Sequence, residues 1–279
     1  MSNNTKSNYQ FGLDRYRFLT LLNAAQVCKE HQFSKQATML WLVNYPNDLL
    51  VKYYQGVAFS EIGKADQARM LFETLIELDP TFIEPIKALK DLVKSQDLKD
   101  RYTGIYEFLI KSQPINPHQQ GWLNPLWEAR KKYEGDDHSA AMQLVHQSLI
   151  KAPPSPLPAI LHLKIANKLQ NQEMLVTLSD IYYQKWPKCL QINVIKAITE
   201  IDNGEESAAV ERLHWVEAND NAGQVITQLM GSEHRFRSLW PDKLEIYFDL
   251  PIPAAVSAYL GWNQLNAGQM VVPEFKEKP

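Results

Sequence analysis

The residues best suited to hold a metal ion or attack a substrate are seven histidines, at 31, 118, 138, 146, 162, 214 and 234, and two cysteines, Cys28 and Cys189. A metal on one helix needs ligands a single turn apart, with a glutamate between them for hydrolysis. No histidine pair has that spacing, and His138 and His146 lie two turns apart. Cys28 and His31 stand three apart, close enough for an imidazole to hold a thiolate. No third side chain is placed to orient them. Asp136-Asp137-His138 falls at a helix start, where acidic groups complement the helix dipole, so it reads as a cap. There is no glycine-rich phosphate loop, nucleophile elbow or paired catalytic carboxylates. The chain therefore reads as non-catalytic, with no cofactor and no metal.

Composition narrows the partner. The 279 residues carry 29 Lys+Arg against 32 Asp+Glu, a net charge of −3, with 45% hydrophobic residues. That is a soluble globular composition. A pI near 6.2 argues against nucleic acid, which asks for a clustered basic face. No run approaches 18 apolar residues, so no membrane span is expected. The polar start lacks the apolar stretch of a signal peptide, and two distant cysteines fit a reducing compartment. A cytoplasmic location follows as the expectation.

The elements that carry these residues repeat. Pro46, Pro80 and Pro114 are 34 apart, Pro153 follows after 39, and Pro187 after another 34. Proline cannot continue a helix, so the beat marks a recurring helix stop. Between beats the spacing is helical. Ala68, Phe72, Leu75 and Leu78 share one face, while Gly56 and Phe59 lie on a preceding segment broken at Gly63. Each beat is a helix, a tight turn and an antiparallel helix. Close packing of such a pair needs a small residue, and Gly56 is expected to face Ala68. Where Tyr102 and Leu175 replace the small residue, the hairpins should splay.

This unit resembles the tetratricopeptide repeat. The likeness is best at residues 49–82, through Gly56, Phe59, Ala68, Phe72 and Pro80. It is good at 190–221, through Ala197, Gly204, Ala209, Leu213 and Val216, and partial elsewhere, with Gly135 as a turn glycine. It implies an all-α, right-handed α-solenoid of about six hairpins over residues 14–221. A disordered arm (1–13) would precede it, and a longer connector would bend it at 115–124. Residues 222–279 would form a non-repeating capping or docking segment, with helical turns at 224–230 and 254–260 and a strand-like stretch between. That segment either covers the last repeat or docks on another chain.

Repeats of this family bind peptides along a groove lined by their first helices. Counting helix positions puts Tyr53, Tyr54, Lys87, Lys94, Trp122, Lys164, Asn167 and Lys168 in that groove. The lysines either solvate an exposed face or focus positive charge on an acidic partner segment. The family's carboxylate-clamp pattern is missing, since Gly56 stands one turn after Lys52. The functional expectation is an adaptor or scaffold for a protein or peptide. The alternative is the regulatory or substrate-recruiting N-terminal module of a larger enzyme or signalling protein.

Overall fold

The computed structural model describes residues 11–110 and 121–262. Twelve of its helices pair into six hairpins. These are α1 (Arg15–Val27) with α2 (His31–Asn44), α3 (Leu49–Glu61) with α4 (Ala65–Leu78), and α5 (Ile83–Leu92) with α6 (Gln96–Leu109). Then come α7 (Leu123–Glu134) with α8 (His138–Ile150), α9 (Leu157–Lys168) with α10 (Gln172–Lys185), and α11 (Leu190–Asp202) with α12 (Glu206–Asn219). Each helix packs on the next, so the chain is an all-α solenoid. The prolines do stop helices: Pro46, Pro80 and Pro187 each directly follow a helix C-cap. Asp14, Asp48, Asp137 and Asn171 open helices by accepting a first-turn backbone N–H.

Five of the six hairpin turns contain one left-handed residue: Lys29, Gly63, Asp136, Gln170 and Gly204, with φ between 54° and 81°. Only two are glycine. Gly135, the expected turn glycine, has φ −93°, and its neighbour Asp136 takes the left-handed position instead. The small-residue contact also differs from expectation. A Cβ on Gly56 would lie 2.5 Å from the Phe72 ring, so Gly56 makes room for Phe72 rather than for Ala68. Of the two hairpins expected to splay, α9–α10 is the looser, whereas α5–α6 packs nearly as closely as the others. Tyr102 is accommodated there within the main core, 6% exposed.

The tail corrects two boundaries. Residues 11–13 belong to a strand, β1 (Phe11–Asp14), and the rest of the expected arm, 1–10, lies outside the described residues. β1 pairs antiparallel with β2 (Glu245–Phe248), setting Leu13 opposite Ile246. Ile246 and Phe248 alternate inward, so the proline-flanked stretch forms a short two-stranded ribbon rather than a central strand. Phe248 meets Phe18 and Phe33 edge-on, beneath a stacked Phe18–Trp41 pair at 4.5 Å. The Tyr45 hydroxyl accepts from the Glu245 N–H and donates to its carbonyl. A last helix, α14 (Ala254–Tyr259), packs on α1 and ends at a left-handed Gly261, as its sequence predicts.

The tail therefore covers the first hairpin, not only the last. Its link to the far end is Trp240, which donates to the Asp220 carbonyl at 2.7 Å and lies against Gly223 beside α13 (Gln224–Met230). The two ends of the solenoid also touch directly. Asn47 donates through its backbone N–H to Asn221 Oδ1 and through Nδ2 to the Ala218 carbonyl. Further round, Gln191 on α11 donates to Thr81 and Asp79. The expected bend at 115–124 falls mostly on residues outside those described.

Candidate functional site

The predicted groove residues do not form one surface. Trp122 is 6% exposed and belongs to the main apolar core, with its carbonyl capped by the Ser148 hydroxyl at 2.7 Å. It cannot engage a partner, and its place in the groove is corrected here. It falls on the residue just before α7, where it packs inward to start the helix. Tyr53 and Tyr54 are half-buried and in edge contact with each other. Tyr53 also meets Phe72 and Phe82. Burial and the nearby Glu84 carboxylate push the Tyr53 hydroxyl up to about 12. Lys164 is half-buried on α9, and its pKa is lowered by burial and by Arg130. Lys87 and Lys94, from the α5 region, and Asn167 and Lys168, at the end of α9, are exposed.

The reactive residues take structural places. Cys28 and His31 are not on one helix: Cys28 caps α1 with its thiol against the Ala255 carbonyl, and His31 opens α2 facing Glu61. Asp137 caps α8, as expected. His162 is buried with Nδ1 2.6 Å from the Tyr182 hydroxyl, and burial lowers its pKa to about 4. It is therefore a neutral core histidine. Cys189 is fully buried, which pushes its thiol up to about 12 and keeps it from acting as a thiolate. Among the described residues no group of three metal-ligating side chains comes together, and no helix is long and apolar enough to cross a membrane.

A concave site lies where sequence reasoning did not look. A cleft of about 340 Å³ opens between the second and third hairpins on one side and the α10–α11 turn on the other. Glu73, Ile76 and Glu77 of α4 form one wall, and Arg101, Tyr102 and Ile105 of α6 the next. The opposite wall is Lys185, Trp186 and Lys188 together with the 154–156 stretch. Lys188 reaches across to Glu77 at 3.1 Å, joining residues 111 apart in sequence. Lys185 sits over the Trp186 ring at 4.4 Å. The Tyr102 hydroxyl is held protonated by burial and by Glu73.

One sequence signal did point here. Pro80, Pro154, Pro156 and Pro187 all border the cleft, and two of them belong to the 34-residue beat. Helix stops from separate repeats converge where the solenoid brings its turns together. Their spacing is visible in sequence, but their convergence is not. No protein-family model matches the chain, and no curated protein matches it.

Proposed function

We propose that the protein is a non-catalytic adaptor that binds a partner protein or peptide with an acidic segment, working in the cytoplasm as a tetratricopeptide-like scaffold. The observation that carries this reading is the cleft, a concave site that mixes apolar, aromatic and charged side chains as peptide-binding pockets do. The exposed Lys87, Lys94 and Lys168 add positive charge on the surface, with Asn167 as a neighbouring donor and acceptor. Tyr53 and Tyr54 add half-buried aromatic surface outside the cleft, and Lys164 a partly desolvated cation. Free thiols at Cys28 and Cys189 suit a reducing compartment.

The test is affinity capture from the native source with quantitative mass spectrometry. Three baits are compared: wild type, the surface triple Lys87→Glu, Lys94→Glu and Lys168→Glu, and the cleft double Arg101→Glu and Lys185→Glu. The adaptor reading expects a protein enriched by wild type and lost from at least one variant. Enrichment no greater than that of an unrelated helical protein of equal charge would sink it.

A further inference from the structure

The charges around the cleft are not balanced. Lys188 is paired with Glu77, but among the described residues Arg101 and Lys185 have no carboxylate within ion-pair distance, and Lys185 lies over the Trp186 ring. Glu73 is the single uncompensated acid on the lining. Two free cations thus face one free carboxylate across an apolar floor that includes Ile105 and Tyr102. An interaction between opposite charges at the edge of such a desolvated floor is screened less than one on an open surface. The volume is at the small end of ligand sites, enough for one large side chain and too small for a typical cofactor.

We propose that the cleft is a docking site for a partner segment that inserts one large apolar side chain, with an adjacent carboxylate meeting Arg101 and Lys185. This rests on the adaptor reading and names the chemistry of the segment. The apolar side chain displaces water from Ile105 and the rings of Tyr102 and Trp186. The carboxylate takes the cations that lack a partner, Arg101 from α6 and Lys185 from the opposite wall. A segment with lysine beside the apolar residue meets like charge and is rejected, so charge supplies specificity more than affinity.

The probe is a fluorescein-labelled peptide with one phenylalanine between two glutamates, set against its twin with two lysines, each titrated by anisotropy. The acidic peptide is expected to bind at least about tenfold tighter, or 1.4 kcal/mol. Arg101→Glu with Lys185→Glu should invert that order, and Glu73→Gln should tighten the acidic peptide several-fold. Melting curves of each variant establish that it is folded; the exposed Arg101 and Lys185 and the half-buried Glu73 should leave them nearly unchanged. Equal binding of the two peptides, binding unaltered by charge reversal, or no binding of either up to solubility overturns the inference. If the native partner is still captured by the cleft double variant, the adaptor reading stands and the cleft does not.

Discussion

The turn between the first two hairpins meets the turn that follows the last hairpin, and each buries an aspartate, yet the two carboxylates live differently. Asp48 is fully buried but compensated. Arg15 grips it with two guanidinium nitrogens at 2.7 and 2.9 Å, and the Trp41 indole and the Val51 N–H donate to it as well. Asp220 is equally buried and, among the described residues, receives only the backbone N–H groups of Gln224 and Val225. Burial, with Asp79 and Asp48 nearby, pushes its pKa up to about 7 against the pull of those donors. The same residue type can be clasped by an arginine or be a group that titrates near neutrality. What decides is whether a cation is delivered to it.

The comparison can be broken most severely at Asp48. Asp48→Ala leaves Arg15 without its partner and the Trp41 and Val51 donors without an acceptor. A loss of about 3–5 kcal/mol is expected for breaking one side of such a buried pair, measured as the shift in a urea unfolding midpoint. A loss below 1 kcal/mol would mean the pair is a surface contact in disguise.

Changing pH tests the other turn. Asp220 has its folded pKa raised above its unfolded value, so its protonated form favours folding. Its contribution is present below about pH 4 and is lost as pH rises to about 7. At about 1.4 kcal/mol per unit the effect is on the order of 2–4 kcal/mol. Asp220→Asn should therefore be less stable than wild type at pH 5, with the deficit shrinking by pH 8. A deficit independent of pH would show that Asp220 is ionised throughout.

Arg15→Gln makes the two turns alike. Removing the cation should cost about 2 kcal/mol, less than Asp48→Ala because the Trp41 and Val51 donors keep their acceptor. The urea midpoint reads this directly, and a variant as stable as wild type would exclude it. The smallest effect is expected from Asn221→Ala, which removes the acceptor for the Asn47 N–H. About 1 kcal/mol is typical for such a hydrogen bond. Hydrogen exchange should speed at Asn47 and spare the middle hairpins.

Much of this was legible in the sequence, and the rest was not, for definite reasons. Asp137 reads as a cap because a cap bonds within three residues of itself, whereas the same role at Asp48 was not picked out. The helices at 224–230 and 254–260 were equally plain from local spacing and from Pro253 and Gly261. Trp122 misled because counting along a helix gives a face, and a residue just before the helix turns inward with the entering chain. Gly56 was singled out correctly but given the wrong neighbour, since a small residue announces a close approach without saying what approaches. Arg101, Lys185 and Trp186 carried no signal at all, being ordinary residues on two separate repeats.

By itself the sequence determined the hairpins, their stops and the cap at Asp137, because helix periodicity, proline's missing N–H and side-chain capping act over a few residues. Only the tertiary structure decided that the tail crosses to the first hairpin, that Asn47 meets Asn221, and that distant prolines enclose a cleft. Those outcomes depend on which of several apolar faces fit together in shape, over separations that exceed 200 residues. Such a choice is settled by packing between surfaces, and no local pattern encodes it.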